Sequence, residues 1–148
     1  MNKKVIENNK KAFHEYHIFD RYDAGIVLVG TEIKSIRKGG VSLKDAFCKV
    51  EEGELWLYSS HIAPYDKGNR FNHEPQRVRK LLLHKKEIMK ILGKVKKENF
   101  TIIPLQMYLQ SGFAKLEIAL CKGKKLYDKR EDLAKKTIQR DVERAIKR

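Results

Sequence analysis

Acidic residues are scarce in this chain of 148 residues, where 19 Asp and Glu face 33 Lys and Arg for a formal net charge of +14. A balanced surface would serve solubility equally well. The excess therefore asks for a polyanionic partner, and nucleic acid is the first candidate. Cysteine is nearly missing: Cys48 and Cys121 stand alone, with no CxxC and no histidine at ligand spacing. Both thiols are expected to be small buried hydrophobes in a reducing cytosol. His14, His17, His61, His73 and His84 are scattered, so neither a metal nor any other cofactor is expected. No apolar run approaches the ~20 residues that cross a bilayer, and Met1-Asn2-Lys3-Lys4 leads into no signal-peptide core. A cytoplasmic protein without a membrane partner is the expectation.

Catalytic signatures are missing as well. The chain holds no Gly-rich phosphate loop, no HExxH and no Ser/His/Asp signature. Asp23, Glu32 and Asp45 would have to be gathered by the fold. Their simpler readings are helix N-terminal charge for Glu32 and turn chemistry for Asp45. An enzyme is not expected.

What the chain does hold is strand and turn pattern. Gly25 and Gly30 bracket Ile26, Val27, Leu28 and Val29, a short β-branched run that suits a core strand. A basic helix follows, with Thr31 as its cap, Ile33 and Ile36 as its apolar stripe, and Gly39-Gly40 as its end. Residues 1–11 read as a frayed start and Ala12 to Asp20 as a strand. Ala46 to Val50, the turn Glu51-Glu52-Gly53-Glu54, and Leu55 to Ile62 read as a hairpin. Ala63 to Gln76, with Pro64, Gly68 and Pro75, is a surface loop. Lys85 to Glu98 repeats Ile88, Ile91, Leu92 and Val95 on one helical face, with Gly93 as a weak point. Phe100 to Leu109 is a strand in which Pro104 asks for a bulge or an edge. Phe113 to Cys121 alternates most cleanly, with Leu116, Ile118 and Leu120 on one face.

The fold class that follows is mainly β with helices, specifically an OB-like, closed, antiparallel six-stranded barrel, because closure removes exposed edges. Beyond it, Leu133, Ile138, Val142 and Ile146 form a thin helical stripe among dense charges. Residues 1–130 are thus expected as the OB-like barrel domain that meets the nucleic-acid partner. Residues 131–148 are expected as a tail, disordered when free and helical on a partner.

The positive charge is concentrated. Arg77 to Lys97 carries nine cations against Glu87 alone, and Lys122 to Arg130 carries five against Asp128. Tyr16, Tyr22, Tyr58 and Tyr65 offer stacking faces for unpaired bases, although tyrosines are also ordinary barrel residues.

Several segments fall in order with a known pattern. They are Asn9-Lys10-Lys11-Ala12, the Tyr16 strand, Asp23-Ala24-Gly25-Ile26, the run from Gly30-Thr31-Glu32 to Ile36-Arg37, Arg79-Lys80-Leu81-Leu82-Leu83, and Lys122-Gly123-Lys124-Lys125 with Asp128-Lys129-Arg130. Together they resemble the SmpB family, the SsrA-binding proteins of bacteria, over essentially the whole chain. The resemblance implies an OB-fold barrel with flanking helices and a basic tail. It implies binding to the tRNA-like domain of transfer-messenger RNA and delivery of that RNA to stalled ribosomes, in place of the missing anticodon arm. A monomer is expected. RNA contacts map by resemblance onto Asn9, Tyr16, Asp23, Leu82, His84, Lys122, Lys124 and Lys125. Ribosome contacts map onto Tyr127, Asp128, Lys129, Arg130, Ile138, Val142 and Ile146. Asp23 stands where the family has Glu, and His84 where Asn is common. A basic ribosomal protein and an RNA-processing enzyme are the alternative classes.

Overall fold

Asn9 decides how the chain begins. Its side-chain oxygen accepts from the Ala12 N–H at 3.1 Å, the geometry of a helix N-cap, and starts a short helix, α1, at Lys10–Glu15. Its side-chain nitrogen donates to the carbonyls of Leu43 and Pro104. The computed structural model of the chain describes residues 3–67 and 72–124. Within them the start is ordered rather than frayed: Lys3–Asn8 forms strand β1. The strand expected over residues 12–20 is also corrected, because the Asn9 cap makes its first part helical and extended backbone begins only at Tyr16.

Strand β2 then runs from Tyr16 to Ile26. The expected core strand from Gly25 to Gly30 is therefore the end of a longer one. Val27 and Val29 are exposed and Leu28 is half-buried, since the chain leaves the sheet after Ile26. Helix α2 occupies Gly30–Arg37. The cap expected of Thr31 is not formed: Val29 holds the N-cap position. Glu32 reaches back instead, accepting from the Val29 N–H at 2.9 Å, and the Thr31 hydroxyl bonds the His73 ring at 2.9 Å. Gly39, at a left-handed φ of 81°, ends the helix as expected.

Strand β3 (Val41–Ser42) precedes the hairpin of β4 (Phe47–Glu51) and β5 (Glu54–Tyr58). Its two-residue turn puts both Glu52 and Gly53 at positive φ, the twist that joins tight antiparallel strands. After β6 (His61–Ile62) come β7 (Arg79–Leu82), helix α3 (Lys85–Glu98), β8 (Thr101–Gln110) and β9 (Phe113–Gly123). Helix α3 passes through Gly93 unbroken and ends on left-handed Asn99. The register of β8 slips at Pro104, so the bulge expected for that proline is present inside the sheet.

All pairings are antiparallel. One sheet has the order β1-β8-β4-β5-β7-β2-β9, and β9 pairs again with β8, so the path through six strands returns to its start. β3 and β6 form a separate pair. The chain is mainly β with three helices among the described residues, nine strands against the six expected. The larger core holds Ile36, Leu55, Leu57, Leu81, Ile91, Leu116 and Ile118. A smaller one lies under α1, where Ala12 meets Leu105, Ala119 and Cys121. Cys48 and Cys121 are buried in the two cores, and burial pushes the Cys121 thiol up to about 12.

Candidate nucleic-acid interface

Two groups of the residues singled out in sequence lie toward opposite ends of β2. At its start, Tyr16 pairs with Gly123 and His17 with Lys122 on β9. The Lys122 ammonium lies 4.8 Å from the Phe100 ring centre, and Lys124 donates to the Phe13 carbonyl at 3.2 Å. Tyr16, Lys122 and Lys124 are thus brought together, with α1 beside them. Asn9 is close in sequence but buried, and its side chain is spent on α1, Leu43 and Pro104. A cavity of about 290 Å³ opens next to Tyr16, bordered by Lys11, Glu15, Lys44, Asp45 and Phe47.

Toward the other end, Asp23 accepts from the Tyr108 hydroxyl at 2.9 Å. Burial, followed by this bond, pushes the Tyr108 phenol up to about 12. Gly25 pairs with both Leu82 and Lys115, and His84 occupies the position before α3 without a side-chain capping bond. Leu82 is 51% exposed, a large apolar side chain left in water beside Gly25. Nine residues separate Tyr16 from Gly25, about 30 Å of strand at the usual rise.

The basic segment divides in a way its composition does not reveal. Arg77 and Arg79 are structural. Glu32, whose side chain is 0% exposed, accepts from Arg77 at 2.6 Å and from Arg79 at 2.6 Å. Arg79 spends all five donors: one on Glu32, two on Ser60, and one each on the carbonyls of Glu74 and Pro75. Burial pushes Glu32 up, but the Arg77 bond, the Val29 amide and Arg79 outweigh it and hold the carboxyl below its usual value. The signal was present in sequence, since Arg79 and Leu81 share one face of a strand. Lys80 lies 3.5 Å from Glu54, and Lys94 pairs with Asp20. Lys85, Lys86, Lys90, Lys96 and Lys97 make no ion pair among the described residues, so the available charge of this segment sits on α3.

Asp23, Glu32 and Asp45 do not converge. Asp45 pairs with Lys11, Asp23 with Tyr108, and Glu32 with the two arginines. Among the tyrosines, Tyr58 stacks on Phe47, Tyr65 lies beneath Lys34 and Lys38, and Tyr16 and Tyr22 pack against the cores. No helix among the described residues is long and apolar enough to cross a membrane. Lys125, Tyr127, Asp128, Lys129, Arg130, Ile138, Val142 and Ile146 lie outside the described residues.

Comparison with known proteins gives this surface its context. A family model described as SmpB protein matches residues 6–148. The chain belongs to the SmpB family. Among similar proteins, an SsrA-binding protein of Carboxydothermus hydrogenoformans is 55% identical over 144 residues, covering 97% of this chain and 97% of its own. An SsrA-binding protein of Anoxybacillus flavithermus is 58% identical, covering 97% of this chain and 94% of its own. A solved chain described as "tmRNA-SmpB: a journey to the center of the bacterial ribosome" aligns with a TM-score of 0.68 and 46% identity. It covers 80% of this chain and 83% of that one. Family membership accounts for the order of the sequence motifs, while the placement of Glu32, Arg79 and Phe100 is read from this chain alone.

Proposed function

We propose that this chain is a non-catalytic adaptor that binds the tRNA-like domain of transfer-messenger RNA around its elbow. It carries that RNA to ribosomes stalled on broken messages and stands in for the missing anticodon arm. The observation that carries this reading is the SmpB match over residues 6–148. The names of similar proteins link those proteins to SsrA, and the solved neighbour's description links it to tmRNA and the bacterial ribosome. The net charge of +14 and the unpaired lysines of α3 fit such a partner.

The finer parts of the reading follow. The antiparallel pairing that returns from β9 to β8 supports a small closed barrel of OB type. Tyr16, Lys122 and Lys124 bind RNA at one end of β2, Asp23, Leu82 and His84 bind it at the other, and Lys125 adds a further contact. Asn9 serves by fixing α1, because its amide is fully engaged within the protein. Tyr127, Asp128, Lys129 and Arg130 open a tail that docks on the ribosome through Ile138, Val142 and Ile146. The protein works in the cytoplasm as a monomer, without a cofactor.

The test is a filter-binding titration of the tRNA-like domain against excess ordinary tRNA, with peptide tagging in an extract depleted of its own SsrA-binding protein. Selective binding and restored tagging are expected. Equal affinity for bulk tRNA without restored tagging refutes the adaptor reading.

A further inference from the structure

Strand β9 sends Leu116, Ile118 and Leu120 into the larger core, and the next residue on that face is Lys122. A cation thus ends an apolar row. On one flank it pairs with His17 of β2. On the other, Thr101 pairs with Cys121, which brings Phe100 alongside Lys122. The ammonium lies 4.8 Å from the Phe100 ring centre and 5.8 Å from that of Phe19. The two rings meet edge to face, 5.1 Å apart at 61°. Asp20, the neighbour of Phe19, is tied to Lys94 of α3, so the strand that carries the ring is held from the helix side as well.

This is an assembled site with part of its aromatic surface in solvent. Phe100 is half-buried, but Phe19 is 43% exposed. Lys122 makes no ion pair among the described residues, so its charge rests over rings and is not cancelled by a carboxylate. An exposed ring fixed on a sheet, with an uncancelled ammonium within 6 Å, matches what an unpaired nucleotide requires. The base needs a π-face and the adjoining phosphate needs a cation. Duplex RNA, whose bases are already stacked, has no use for the ring.

We propose that the row of Phe19, Lys122 and Phe100 is a stacking site for one unpaired RNA base, with Phe19 carrying the base and Lys122 its phosphate. The proposal rests on the RNA-binding function above and narrows it, by making one contact depend on an extruded base and not on charge alone.

Full-length protein is titrated with the tRNA-like domain of transfer-messenger RNA over a range of salt. Leucine keeps the apolar bulk of Phe19 but has no π-face, so Phe19→Leu is expected to weaken binding about tenfold, within the range of one lost base stack. Its salt slope is expected to stay unchanged, whereas Lys122→Ala should lower the slope by about one. Phe19→Trp, made in a Trp56→Phe background so that the new indole reports alone, should lose fluorescence as the RNA saturates it. If Phe19→Leu melts early, the tryptophan variant decides: quenching supports the stack and unchanged emission overturns it. Wild-type affinity in a well-folded Phe19→Leu variant overturns the stacking site while leaving RNA binding standing. A wild-type protein that fails to bind this RNA overturns the RNA reading, and the stacking site falls with it.

Discussion

Replacing Glu32 with Gln is the most searching test of how the RNA-binding surface is held. The substitution keeps the side chain's size and removes only its charge. Glu32 is fully buried and takes its hydrogen bonds from the Val29 amide, Arg77 and Arg79. Arg79 is itself fully buried. A neutral amide would leave that guanidinium without its counter-charge, with a second guanidinium, Arg77, nearby. Breaking a buried pair in this way costs about 3–5 kcal/mol. For a chain of this length, each kcal/mol lowers the melting temperature by roughly 2–4 °C, so a loss of about 6–20 °C is expected. The pH dependence supplies a second reading. Because the folded-state value of Glu32 lies below its usual 4.5, its contribution is fully present above about pH 4.5 and is lost as pH falls through the folded value. Urea melts of wild type and Glu32→Gln should therefore differ most near pH 7 and draw together below about pH 4.5. Changing Arg79 to Met in the Glu32→Gln background should recover part of the loss, since no buried charge then lacks a partner. A Glu32→Gln protein within 1 kcal/mol of wild type at pH 7, or a gap unchanged at pH 3.5, would refute the reasoning.

Leu57→Ala, which truncates a fully buried residue, should cost about 2–5 kcal/mol in a denaturant melt. Leu28→Ala should cost clearly less because Leu28 is only half-buried, and equal losses would contradict the boundary drawn for β2. Changing Lys122, Lys124 and Lys125 together to Ala should reduce the magnitude of the salt slope of RNA binding by roughly two to three. An unchanged slope would mean that these lysines touch no phosphate. Truncation after Arg130 should leave melting and RNA affinity nearly intact while abolishing peptide tagging. Normal tagging by the truncated protein, or lost RNA binding, would overturn that division of labour.

The sequence by itself determined what is local. Glu52-Gly53 specifies a two-residue turn, Gly39 a helix end, Pro104 a bulge, and the spacing of Ile88, Ile91 and Val95 the helix Lys85–Glu98. Each follows from dihedral limits or periodicity within a few residues. The ordered motifs also carried the family, and the charge carried the class of partner. The first twenty residues depart from the sequence expectation although their signal is local: Asn9 belongs not to a loose start but to α1, whose first turn its side-chain oxygen caps. What only the tertiary structure decided spans long separations. Arg79 and Glu32 are 47 residues apart, and Phe19 meets Phe100 only because β2 and β8 both flank β9. In sequence, Arg79 is one cation in a basic run and Phe19 one apolar residue in a strand. Helix α2 and the backbone at Ser60, Glu74 and Pro75 enclose the first, and the buried carboxylate of Glu32 balances it. The pairing of β2 and β8 with β9 leaves the second beside a lysine, with part of its ring still in solvent. Local rules fix dihedrals and faces, but the residue opposite a given face depends on which distant strands pair and in what register.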